Sequence, residues 1–213
     1  MKKRNIVLIF LGLAIVCFIL LGFFVSANPV PAFDLRISIF LQKYHSDVLD
    51  KIMLGISLFG ELPYSIIMVL LVALVFYRYQ YKREAIFILS ILYSGLIILG
   101  IKNLINRPRP TAFYVRLVEV NRFQSFPSGH VMSYILFFGF MILLMTQLKT
   151  IPLLIRRIIS FASAFFILTV SFSRVYLGAH WFTDTLGGFI LGLICLVPLA
   201  YLYLKPKKIG DKT

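Results

Sequence analysis

Six long apolar runs, separated by short polar breaks, set the organisation of this chain. They lie at roughly 6–25, 58–77, 85–101, 130–148, 158–175 and 185–204. A helix crosses a bilayer with about 20 mostly apolar residues, so the runs predict an all-α, polytopic membrane bundle of six transmembrane helices. Between the first two runs, Phe33, Ile37, Phe40, Leu41, Tyr44 and Val48 recur at helical spacing, with Asp34, Ser38, Gln42 and His45 on the other face. This pattern predicts an outer interfacial amphipathic helix, which would either wall a lipid entrance or pack on the bundle as a loop helix. His45, on its polar face, is expected to be a solvated surface residue. No internal repeat, low-complexity tract or linker breaks the pattern, so residues 1–213 are expected to form a single membrane-embedded domain.

The first run has a second reading. Lys2, Lys3 and Arg4 precede it, and Val25-Ser26-Ala27 resembles a signal-peptide cleavage site. Its apolar stretch exceeds the 7–15 residues of a typical signal core, which favours a retained helix.

Composition agrees with lipid as the main solvent. The chain is 60% hydrophobic and 14% charged, where a soluble domain carries about 25% charged residues. The net charge is +14, but the basic residues are scattered among the apolar runs. Nucleic-acid binding leaves them clustered on one face, so that partner is not expected. They fit better as charges that flank the spans, face anionic lipid and set orientation. With six spans, the side holding both termini carries 13 basic and 2 acidic residues, the other side 9 and 6. The positive-inside rule then places both termini in the cytoplasm of a multi-pass plasma membrane protein. Cys17 and Cys195 sit inside apolar runs without metal-ligand spacing and are expected to be small buried hydrophobes.

Three stretches carry candidate chemistry, and all fall on the outer side: residues 102–110 (KNLINRPRP), 127–130 (PSGH) and 173–184 (SRVYLGAHWFTD). Lys102, Arg109 and Arg174 supply cations. Arginine can grip two phosphate oxygens at once, whereas lysine acts as a point charge. Pro108 and Pro110 stiffen the backbone around Arg109. Pro127 suits the first turn of a helix, whose N-terminal amides favour an anion. There Gly129 permits close approach, and the Ser128 hydroxyl can add a hydrogen bond. His130 would sit beside the bound phosphate. His180 and Asp184 are four apart and share a helix face. The carboxylate can fix the tautomer of the imidazole and leave its other nitrogen for attack. An isolated H-x3-D is more often a structural pair, and proline-serine-glycine also makes ordinary turns; the three stretches together are the equipment expected for holding a phosphate and attacking it with an imidazole. Arg107, Arg116 and Arg122 lie in the same loop, outside the pattern, and are expected to attract headgroups or solvate the loop.

The spacings K-x6-RP, PSGH and SR-x5-H-x3-D resemble the tripartite signature of the type 2 phosphatidic acid phosphatase superfamily, with no position missing. The resemblance implies a helical bundle that needs no metal or other cofactor. It implies that His180 attacks phosphorus and becomes phosphohistidine with support from Asp184, while His130 protonates the leaving oxygen. Phosphate binding would fall to Lys102, Arg109, Ser128, Gly129 and Arg174. The function expected is an integral membrane lipid phosphatase at the outer face of a bacterial-type plasma membrane. Phosphatidylglycerophosphate, phosphatidic acid and undecaprenyl pyrophosphate are its candidate substrates. The alternatives are a phosphatase for a soluble phosphate ester, or a non-catalytic lipid-binding or transport protein with a vestigial pocket. The superfamily's vanadate-dependent haloperoxidases are soluble, and six apolar spans oppose that reading. The motifs recognise phosphate rather than what carries it, so headgroup preference falls to the 111–126 loop and nearby helix faces. Oligomeric state is not indicated.

Overall fold

The structure is a computed structural model that describes residues 3–120 and 123–205. Among these, nine α-helices follow in order: α1 (Lys3–Ala27), α2 (Ala32–Gln42), α3 (Asp47–Ser57), α4 (Tyr64–Arg78), α5 (Lys82–Ser90), α6 (Ser94–Ile105), α7 (Gly129–Gln147), α8 (Leu153–Tyr176) and α9 (Phe182–Leu204). Helix α1, the α5–α6 pair running from Lys82 to Ile105, α7, α8 and α9 are each long and apolar enough to span a membrane. Asp47–Gly60 and Tyr64–Arg78 make a sixth span if the pair, bent by 60°, counts as one. The chain is a multi-pass membrane protein.

The second apolar run is not one helix. Leu58–Gly60 is a single 3-10 turn that closes α3, and α4 starts only after Pro63. Glycine is a poor helix former and proline has no N–H to continue a ladder. Apolar residues continue through the break, so hydropathy alone passes over it.

Helix α7 is the centre of the bundle. It buries His130, Tyr134, Phe138, Phe140 and eight further residues against its neighbours, chiefly α8 and α9. Phe138 stacks on Phe166 of α8 with ring centroids 5.0 Å apart. On the α9 side the approach is closer still. A Cβ at Gly188 would lie 2.5 Å from Ser128 O, and one at Gly192 would lie 2.6 Å from Ile135 Cβ. Small residues let membrane helices draw together in this way. Here they bring the first turns of α7 and α9 side by side.

The amphipathic segment is two helices, α2 and α3, with Ser46 capping α3 by accepting from Leu49 N at 3.2 Å. The polar residues of α2, Asp34, Ser38 and Gln42, are buried against the protein, whereas Phe40 is 70% and Tyr44 73% exposed. Lipid solvates an apolar face, but a polar face there must find partners in the protein. His45 is exposed, as expected, with Nδ1 3.2 Å from Gln42 O. Cys17, in contrast, is exposed on α1 rather than buried in protein, because an apolar run does not distinguish lipid from a protein core. Arg122 and the basic tail beyond residue 205 lie outside the described residues.

Candidate active site

The three sequence motifs meet at one end of the bundle. Helix α6 stops where Asn106 takes a left-handed conformation (φ 50°), and Pro108 and Pro110 keep the following loop extended. Helix α8 ends in a turn that needs glycine. Gly178 has φ +71°, and a Cβ there would lie 2.4 Å from Arg116 O. Helix α9 starts with the Asp184 carboxylate accepting from Trp181 N at 2.8 Å, so one side chain both caps the helix and faces His180. His180 itself precedes the helix, whose N-cap is Trp181, so the two do not share the helix face that their spacing predicts; the capping carboxylate reaches back to the imidazole instead. Backbone bonds lock the pieces together: Ser125 N donates to Arg107 O at 2.8 Å and Ser128 N to Asp184 O at 2.9 Å. Helix α7 opens at Gly129 with Ser128 as N-cap, its Oγ accepting from Val131 N at 3.5 Å. Pro127 therefore lies just outside the helix instead of in its first turn, since serine is the better capping residue.

His180 is buried between a carboxylate and a guanidinium. Its Nδ1 lies 3.4 Å from Asp184 Oδ2, and its Nε2 lies 3.3 Å from Arg109 Nη1. The Asp184 contact is within ion-pair range but not aligned as a hydrogen bond. Burial, then the positive charge of Arg109, Lys102 and Arg174, pushes the His180 pKa well below its ordinary 6.5. At neutral pH the ring therefore keeps a lone pair. His130 Nε2 lies 3.0 Å from Glu61 Oε1, also without hydrogen-bond alignment. Gly60 backs directly onto that imidazole: a Cβ there would lie 2.2 Å from His130 Cδ2.

The cations surround the two histidines. Lys102 is buried and its Nζ donates to Gln124 O. Arg109 donates to Ala179 O at 2.6 Å and to Phe123 O. Its pKa is pushed down to about 10 by burial and by Arg174. Arg174, fully buried, puts its two terminal nitrogens on the two oxygens of Glu119, both at 2.7 Å, and also bonds Ser57 Oγ. A carboxylate meets this fork with the same two-oxygen geometry that a phosphate offers.

Several residues here were not singled out from the sequence. Arg107, expected at the loop surface, is fully buried and ion-paired to Asp34 and Asp184 at 2.8 and 2.6 Å. Arg116, also expected to be a solvating residue, pairs with Asp50 at 2.5 Å, and its backbone N–H donates to Gln42 Oε1 at 3.0 Å. These bonds pin the 111–119 loop to α2 and α3. Glu61 and Glu119 face Arg174. One signal was available: acidic residues are few in this chain, and an acid next to an apolar span must find a partner. Among the described residues, no group of three His, Cys, Asp or Glu side chains is arranged to hold a metal ion.

A model of the PAP2 superfamily matches residues 83–208, which includes all three motifs. The chain belongs to the PAP2 superfamily. This PAP2 chain is 27% identical over 180 residues to phosphatidylglycerophosphatase B of Bacillus subtilis (strain 168), covering 83% of this chain and 86% of the relative. Its fold is similar to the crystal structure of a transmembrane PAP2-type phosphatidylglycerolphosphate phosphatase from Bacillus subtilis. That likeness has a TM-score of 0.81 and 22% identity, and covers 93% of this chain and 98% of the other. It is also similar to Aquifex aeolicus LpxE, with a TM-score of 0.60, 20% identity and coverage of 82% and 98%.

Proposed function

We propose that this PAP2 protein is a metal-independent lipid phosphatase that works through a phosphohistidine on His180. The observation that carries the reading is the setting of His180, with Nδ1 towards Asp184 and Nε2 beside Arg109. Phosphoryl transfer depends chiefly on positioning and charge stabilisation. Lys102, Arg109 and Arg174 neutralise the phosphate, and Ser128 with the first-turn amide of Gly129 binds its remaining oxygens. Nε2 of His180 forms a bond to phosphorus as the bond to the lipid oxygen breaks, and His130 gives that oxygen a proton. Water, deprotonated by His130, then displaces His180 and releases inorganic phosphate.

The name of the Bacillus relative makes phosphatidylglycerophosphate the first substrate to test, followed by phosphatidic acid and undecaprenyl pyrophosphate. A lipid suits the surroundings, since Phe113 and Val120 of the adjoining loop are 87% and 82% exposed. The test is phosphate release by the purified protein in detergent from these lipids and from a soluble sugar phosphate, with and without a chelator. Release from at least one lipid, undiminished by the chelator, is expected. Activity confined to the sugar phosphate, or a strict need for a divalent ion, contradicts the reading.

We further propose that the site faces outward and that both termini are cytoplasmic, supported by the excess of basic residues on the side opposite the motifs. In a background lacking Cys17 and Cys195, an impermeant thiol reagent outside the cell should label Val120→Cys and miss Lys149→Cys. The reverse pattern overturns the orientation.

A further inference from the structure

Arg107 takes no part in the mechanism above, yet it is among the most thoroughly engaged side chains in the protein. Its Nε donates to Pro29 O at 2.9 Å, Nη1 to Thr183 Oγ1 and Asp184 Oδ1, both at 2.6 Å, and Nη2 to Asp34 Oδ2 at 2.8 Å. Asp34 also accepts from Thr183 N at 2.9 Å. The side chains of Arg107, Asp34 and Asp184 are all fully shielded from solvent. One cation thus sits between two buried carboxylates, one on α2 and one on α9.

The division of labour on Asp184 is informative. Its Oδ1 accepts from Arg107, while its Oδ2 accepts from Ser125 Oγ and Trp181 N and faces His180 Nδ1 at 3.4 Å. Arg107 therefore grips the carboxylate by the oxygen that His180 does not use. Rotation about the last side-chain bond would swing Oδ2 away from the imidazole, and the Arg107 contact opposes that rotation.

We propose that Arg107 is a positioning residue for the nucleophile: with Asp34 as its anchor on α2, it holds Asp184 oriented for His180. This rests on the reading of His180 as the attacking group. Arginine suits the role because its planar fork serves partners on two sides at once, which the single ammonium of a lysine does not. A merely structural role, fastening α2 to the bundle, is the competing account, and buried ion pairs are weak evidence for stability in themselves. The two accounts differ in what they couple to. The side-chain hydrogen bonds of Arg107 end on Pro29, Asp34, Thr183 and Asp184, none of which is a proposed phosphate ligand.

The experiment is a double-mutant cycle on the purified full chain with nitrophenyl phosphate as substrate. Arg107→Lys is measured alone and in an Asp184→Asn background. Small misplacements at a reacting group cost about 10²-fold in rate. Arg107→Lys alone should therefore lower kcat by about that factor, with KM held within about twofold because the phosphate ligands are untouched. In the Asp184→Asn background the same substitution should change kcat by less than about twofold, because what Arg107 acts through is already lost. Should Arg107→Lys not fold, Asp34→Asn serves the same cycle, since it removes the anchor charge and keeps the side-chain shape. Equal losses of kcat in both backgrounds, or a raised KM with kcat unchanged, overturn the proposal. His180→Ala is run in parallel. Turnover that survives it removes the nucleophile reading, whereas an inactive His180→Ala with no coupling in the cycle removes the Arg107 proposal alone.

Discussion

His180→Ala should abolish turnover on every substrate, by at least about 10⁴-fold, whatever the leaving group. The substitution removes the atom that forms the bond to phosphorus, so no choice of substrate can compensate. Phosphate binding should survive, because the anchors of Lys102, Arg109 and Arg174 at Gln124 O, Ala179 O and the Glu119 carboxylate do not involve the His180 side chain. The measurement is kcat on a lipid monoester and on nitrophenyl phosphate, together with the affinity for vanadate. Turnover within tenfold of the parent on either substrate contradicts the assignment. Loss of vanadate binding together with activity would show that the variant had lost the pocket, and with it the claim that the three cations hold the anion independently.

His130→Ala should behave differently. General acid catalysis is worth about 10²–10⁴-fold, and most of that is needed when the departing oxygen is a poorly stabilised alkoxide. A lipid monoester leaves as an alkoxide, whereas nitrophenyl phosphate expels a stable anion. The variant should therefore lose about 10²–10⁴-fold on the lipid monoester and far less on nitrophenyl phosphate. The position of His130, at the start of α7 with Nε2 3.0 Å from Glu61 and its ring against Gly60, holds it in one place for that task. Equal losses on both substrates would mean that His130 chiefly binds phosphate.

Much of this site was legible because its signals are local. The short spacing between His180 and Asp184 pointed to their pairing, although it comes about through Asp184 capping α9 and reaching back to a residue before the helix rather than through a shared helix face. PSGH announces a helix start within four letters. The spans were legible because about 20 apolar residues is a length that hydropathy measures directly. What escaped notice depends on partners far away in sequence. Arg107 and Arg109 stand two residues apart in one RPRP tract, yet one is buried against Asp34 and Asp184 and the other lies beside His180. Nothing within that tract separates them, because Asp34 is on a helix before the second span. The same holds for Glu61 and Glu119, which meet Arg174 only after three stretches of chain converge. The orientation of α2 escaped for a different reason. An amphipathic pattern gives two faces but not which one the protein takes, and in lipid the polar face turns inward.

The central claim is that phosphorus passes through a covalent bond to His180. It is tested most directly by mixing the enzyme with substrate labelled in its phosphate, quenching in alkali within milliseconds, and mapping the label after proteolysis. Label on His180, stable to alkali and lost in acid, is the result this account predicts. Label on His130, or rapid turnover with label on neither histidine, would contradict it.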